Sequence, residues 1–258
     1  MITFLPEDEY DARPTQFIYR HDRFVRDQVL QSDVLEELAC NPNPLLALQS
    51  LDINTWFALH YGLYRAAPFK QIVASLRDLH FTVQDIKYRP NCPNEIGHDF
   101  WTYVIGPFVL QPAVNLTSLA MKSSVSCGSL IRLDLGSITL PCLTLLSLSC
   151  FAWDNTRLDP QKVTLGAEDF IVCHGKTLKN LALWYCTIAI PYNASTPVRS
   201  WMAVWNRFAD ELTELVDLKV KFPLEKLEME SDLYLESVHL RYVQCFPHVT
   251  LSPSVCLT

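Results

Sequence analysis

Three neighbouring pairs carry side chains used in acid–base or thiol catalysis: His21-Asp22, His98-Asp99 and Cys173-His174. Each sets a base beside an acid or a thiol, the makings of a proton relay or an activated nucleophile. Adjacency weighs against that use, because consecutive residues on a helix or strand diverge and working dyads are assembled across a fold. Helix ends suit them better. His98-Asp99 is expected near the start of a helix, and Cys173-His174 at the end of one, where a protonated imidazole meets the negative end of the helix dipole. No catalytic residue is assigned, and the chain is read as a non-enzyme.

Cys245-x-x-His248, with Cys256 and His239 nearby, holds zinc-ligand types but only half of a zinc motif, so an irregular carboxyl terminus is expected and no metal. The seven glycines (62, 97, 106, 128, 136, 166 and 175) are never closer than eight residues apart. A dinucleotide fingerprint, a P-loop or a nucleophile elbow needs two glycines within a few residues, and none is present. No cofactor is expected.

With 258 residues, 49% of them hydrophobic, the chain can fill a substantial core. Its 21 basic and 28 acidic residues leave a net charge of −7 without a strongly basic run, so a phosphate backbone would be repelled and nucleic acid is not the expected partner. Pro6 and the acids Glu7, Asp8 and Glu9 occupy the place where a secretion signal needs basic and then apolar residues. The most apolar stretch, Leu130 to Phe151, is broken by Arg132, Asp134 and Pro141, and falls short of a membrane span. Nine scattered cysteines fit reduced thiols packed as small hydrophobes in an intracellular protein, cytoplasmic or nuclear. The triplets Asn115-Leu116-Thr117 and Asn193-Ala194-Ser195 are then not expected to be glycosylated.

The positioning elements appear once Leu-x-x-Leu-x-Leu is sought, with other aliphatics, Met or Phe allowed. It recurs at Leu48/Leu51/Ile53, Leu76/Leu79/Phe81, Leu116/Leu119/Met121, Leu130/Leu133/Leu135, Leu143/Leu146/Leu148, Leu178/Leu181/Leu183 and Leu215/Leu218/Val220, and more weakly at Leu235/Val238/Leu240. Steps between the first seven are 28, 40, 14, 13, 35 and 37 residues, and about five of the eight are expected to be real. The fullest copy runs from Leu178 to Ile188, with Cys186 at the ninth position, where a small side chain can meet backbone groups inside a bend. The fourth and sixth positions share one face of a strand and pack inward. One such unit cannot bury its face alone, so neighbours must stack. The expected fold is α/β: an irregular leucine-rich-repeat-like solenoid with a short-stranded parallel sheet and outer helices.

Helices are expected between the strands. Trp201, Val204, Trp205, Phe208 and Leu212 recur at helical spacing within Val198 to Leu212. A shorter helix is expected over Ala167 to His174, opened by Glu168 and Asp169 and closed by Gly175. Asp33 and Glu36 form a candidate capping box for Val34 to Cys40, and Glu95 to Ile105 a helix stopped by Gly106-Pro107.

The run Glu168 to Leu178, followed by Lys179-Asn180-Leu181-Ala182-Leu183 and Cys186-Thr187-Ile188, resembles fungal F-box-like leucine-rich-repeat proteins, and the tandem from Leu130 to Trp153 is similar to them too. The resemblance covers about residues 45 to 222. It implies repeats that bind a target protein, joined in that family to an amino-terminal F-box that binds the adaptor of a ubiquitin ligase. Leu5-Pro6 superficially matches an F-box start, but Glu7 to Thr15 lacks the apolar helix that must follow. An adaptor partner is therefore expected only if an F-box lies outside this chain; a free-standing scaffold or inhibitor without a ligase role is the alternative, and an unrecognised enzyme ranks behind both.

The expected organisation is an irregular or helical segment at 1–44, the repeat-like domain at 45–245 and a tail at 246–258. Outward positions of the strands would place Asp52, Asp78, His80, Lys122, Arg132, Asp134, Asn180, Trp184, Asp217, Lys219, His239 and Arg241 on one surface. Of these, Trp184, Asn180, Arg132, Asp134, Lys219 and Arg241 are the expected contacts to a protein partner, with Trp184 as a rigid aromatic anchor.

Overall fold

Alternation of buried and outward side chains gives strands here, and leucine at a fixed place in each strand sets how they pair. The computed structural model describes residues 29–37, 40, 48–58, 62–84, 100–123, 131–132, 135, 138–154, 166–191, 200–221 and 240–242. Its main sheet contains β1 (Ser50–Phe57), β2 (Asp78–Gln84), β3 (Ser118–Ser123), β5 (Leu145–Ser149), β7 (Asn180–Trp184) and β9 (Asp217–Lys221), in that order and all parallel. The register aligns the triplets. Leu51, Leu79, Leu119, Leu146, Leu181 and Leu218 stand opposite one another in one row, and Ile53, Phe81, Met121, Leu148, Leu183 and Val220 in the next.

A tight turn sets the first leucine just before its strand in five of the triplets, burying Leu76, Leu116, Leu143 and Leu178 and half-burying Leu215. Leu76, Leu116, Leu143 and Leu215 each donate their N–H to the carbonyl three residues back, of Val73, Ala113, Leu140 and Leu212. Leu178 reaches back four, to His174. Each strand then begins with two consecutive N–H groups on one carbonyl of its neighbour: Arg77 and Asp78 on Gln49, Thr144 and Leu145 on Thr117, Lys179 and Asn180 on Thr144. This repeated device fixes register independently of what lies between strands.

A second sheet is laid down by the chain after it leaves the first. β4 (Ile131–Arg132), β6 (Phe151–Asp154) and β8 (Thr187–Pro191) run parallel, and β10 (Leu240–Tyr242) joins β8 antiparallel. Two of the transfers are made by non-glycine residues in the left-handed region, Cys150 (φ 63°) between β5 and β6 and Tyr185 (φ 56°) between β7 and β8. They follow the register partners Ser149 and Trp184. Such a backbone costs about 1 kcal/mol or more, offset here by N–H bonds from Cys150 to Trp184 O (2.8 Å) and from Tyr185 to Lys221 O (2.7 Å). Just past its bend Cys186 is buried, with Sγ 3.6 Å from Leu148 O, the backbone contact expected of the ninth position.

Two of the eight triplets do not join the ladder. Leu119 pairs directly with Leu146, and the chain at Ile131–Arg132 lies in the second sheet beside Phe151–Ala152, so Leu130/Leu133/Leu135 is not a rung. Leu240 belongs to β10, paired with Pro191, so Leu235/Val238/Leu240 is not one either.

Helices fill the connections: α1 at 29–37, α2 at Ala67–Ser75, α3 at Ala167–Val172 and α4 at Trp201–Glu211. α4 is capped by Ser200, which accepts from Ala203 N, and buries Trp201, Val204 and Phe208 with Leu212 against the strands. Arg207 of α4 binds Glu168 and Asp169 at the start of α3, at 3.0 and 2.7 Å. Two expectations about helices are corrected. α1 already runs at residue 29, which makes Asp33 an interior residue rather than a cap. Gly106-Pro107 does not end a helix: a π-helical segment, Trp101–Leu110, runs through both. Its wider turn drives Trp101, Val104, Ile105, Val109 and Leu110 into the core, and that burial outweighs the single donor proline removes.

Gly175 lies where the turn after α3 passes under the end of α4. A Cβ there would collide with the Glu211 carbonyl and lie 3.2 Å from Val172 O. Both obstacles are backbone. Gly175→Ala is expected to destabilise the fold by about 1–3 kcal/mol, measured as a lower urea midpoint with an unchanged slope.

Candidate functional site

Side chains opposite the leucine rows form the outward face of the main sheet. Its first row is Ser50, Asp78, Ser118, Leu145, Asn180 and Asp217; its second is Asp52, His80, Ala120, Ser147, Ala182 and Lys219. Thr82, Lys122, Ser149, Trp184 and Lys221 make the third. The middle of this face is a shallow recess of about 300 Å³, floored by small residues such as Ala120, Ser147 and Ser149 and walled by His80, Lys122 and Trp184.

Small residues in the middle strands create the hollow, and larger ones at its sides give it walls. Trp184 is half-buried, its neighbours across the ladder being Ser149 and Lys221. The Lys221 ammonium lies 5.2 Å from the Tyr185 ring centre, a cation–π contact beside the recess. His80 Nε2 is 3.2 Å from Ser118 Oγ. Lys219 pairs with Asp217 at 3.0 Å, both well exposed, so water screens that pair.

Of the six residues expected to meet a partner, Asn180, Trp184 and Lys219 share this face. Arg132 and Arg241 do not: they lie in β4 and β10 of the second sheet, because the triplets that carried them onto the main sheet are not rungs. Asp134 and His239 lie outside the described residues, as do His21-Asp22, His98-Asp99, Cys245, His248, Cys256 and the tail 246–258. The expectation missed Asn54, Thr82, Ser147, Ser149 and Lys221, which line or border the recess. Alternation alone points to Asn54, Thr82 and Lys221, each two residues from an outward residue already chosen, and to Ser147 and Ser149, which alternate with Leu146 and Leu148 of β5; small hydroxyls carry less signal than charge.

The pair Cys173-His174 is described, and its geometry is that of a brace. His174 is 3% exposed; its Nε2 accepts from Leu140 N at 2.8 Å and its Nδ1 lies 2.6 Å from Phe170 O. Both contacts are satisfied by one neutral tautomer, with the proton on Nδ1. Burial pushes the imidazole pKa below its ordinary 6.5, against a smaller opposing effect of the Phe170 carbonyl. The expected protonated histidine at a helix end is therefore corrected to a neutral one inside the fold. Burial, reinforced by Asp169, pushes the Cys173 thiol pKa up, away from the thiolate a nucleophile requires.

Among the described residues no group of three or more His, Cys, Asp or Glu side chains is placed to hold a metal ion. Among the same residues no helix is long and apolar enough to cross a membrane. Cys40, Cys142, Cys150, Cys173 and Cys186 are free thiols, but only Cys150 and Cys186 are buried, so packing as a small hydrophobe describes two of the five. Comparison with protein-family models, with curated proteins and with solved structures found no match to this chain.

Proposed function

We propose that this chain is a non-enzymatic protein-interaction module, an irregular leucine-rich-repeat solenoid that holds a partner protein on the outward face of its main sheet. One observation carries the reading: six leucine triplets in consecutive register leave a continuous outward surface with a recess at its centre and Trp184 on its wall. A rigid aromatic beside small residues contributes contact area at little entropic cost. The resemblance to F-box-like repeat proteins extends the reading to target recognition in a ubiquitin-ligase receptor, where an adaptor would be bound only if an F-box lies outside this chain. Co-purification of the adaptor would favour that role over a free-standing scaffold.

Trp184→Ala tests the face. Partner proteins retained by the wild-type chain should be lost by at least about tenfold, while unfolding free energy moves by about 0.5 kcal/mol or less. A stability loss above about 2 kcal/mol would assign Trp184 to the core instead and leave the face without its anchor.

A further inference from the structure

Charge on the outward face is not spread evenly. The third row, from Thr82 through Lys122, Ser149 and Trp184 to Lys221, contains no carboxylate, although the chain carries a net charge of −7. Lys122 and Lys221 are exposed, and neither has a carboxylate within ion-pair distance among the described residues; Lys219, one row away, is paired to Asp217. We propose that this row docks an acidic, extended peptide segment of the partner, lying across the strands with carboxylates on Lys122 and Lys221 and an apolar side chain on Trp184. The proposal rests on the reading of the chain as an interaction module and names the chemistry of what it holds.

Spacing sets the pattern such a segment needs. Lys122 and Lys221 are separated by three strand-to-strand steps, roughly 14 Å at about 4.8 Å per step. An extended peptide covers that in about four residues at roughly 3.4 Å each. Acidic residues at i and i+4 then meet the two ammonium groups, and both point to the same side of an extended chain. The residue at i+2 shares that side and falls between Ser149 and the Trp184 ring, where an aliphatic side chain fits. The Thr82 hydroxyl, beside Lys122 in the row, can donate to the carboxylate there.

The test uses the full chain and two labelled peptides, Gly-Ser-Glu-Ala-Leu-Ala-Glu-Ser-Gly and the same sequence with both Glu replaced by Lys, followed by fluorescence anisotropy. The acidic peptide should bind at least about tenfold more tightly than the basic one, and weaken several-fold as salt rises from about 0.05 to 0.3 M. Lys122→Glu combined with Lys221→Glu should reverse the preference, and Trp184→Ala should weaken both peptides. Equal binding of the two peptides, sensitive to Trp184→Ala but not to the lysine changes, would overturn the acidic partner and leave the docking face standing. Binding of neither peptide, with partner capture still sensitive to Trp184→Ala, would overturn this proposal alone; loss of that sensitivity as well would remove the face itself.

Discussion

Leu181→Ala is expected to lower the unfolding free energy by about 2–5 kcal/mol, measured by urea denaturation. Leu181 is 1% exposed and stands in its row between Leu146 and Leu218, so truncation opens a void between two strands that the backbone ladder holds in place. Double hydrogen bonding onto Thr144 O at the start of β7 prevents the strand from sliding to fill it. The equivalent change at Leu218, partly exposed on β9, should cost less than half as much, because water already reaches that position. Equal losses at both sites would mean that the row is not graded from middle to edge.

His174→Ala is expected to cost about 2–4 kcal/mol. The ring joins the stretch that leads into β5 to the end of α3, and its removal leaves the Leu140 N–H without an acceptor in a buried place and strips an edge-on neighbour from Phe170, now 4.7 Å away. The same residue predicts a pH response. Because burial lowers its folded-state pKa, the unfolded chain takes up the proton first as pH falls. Its stabilising contribution is complete above the ordinary value of 6.5 and declines below it, until the folded-state pKa is passed. Unfolding free energies of wild type and His174→Ala, measured from pH 7.5 to 5, should converge on acidification. Parallel curves would show that the imidazole is not held neutral.

Six rungs were legible in the sequence because each carries leucine or a substitute at three fixed places, and burial demands all three. Leu130/Leu133/Leu135 has the same apolar spacing without standing in the ladder, since Ile131–Arg132 pairs with Phe151–Ala152 in the second sheet. Its step of 14 residues held the warning: a strand plus the dozen or more residues of a parallel crossover does not fit within it. The bends at Cys150 and Tyr185 left no mark, because glycine is absent where the backbone turns left-handed. Half of the expected contact set shares the outward face of the main sheet, because Asn180, Trp184 and Lys219 are placed by the leucines beside them. Helix-end electrostatics gives a charged His174 only while the Leu140 amide is left out, and that amide, 34 residues away in sequence, claims its free nitrogen.

Pinning each strand by two amides on its neighbour's carbonyl has a consequence for how such a chain can change over generations. Connections that run from Leu76 to Leu116 by way of a π-helical segment, and from Leu143 to Leu178 by way of α3, differ in length and content, yet deliver their strands to the same alignment. Insertions and deletions in those excursions need not propagate into the ladder, because lengthening a loop costs little once its ends are anchored. Diversification can then proceed by exchanging whole excursions while the outward face of the main sheet stays in frame.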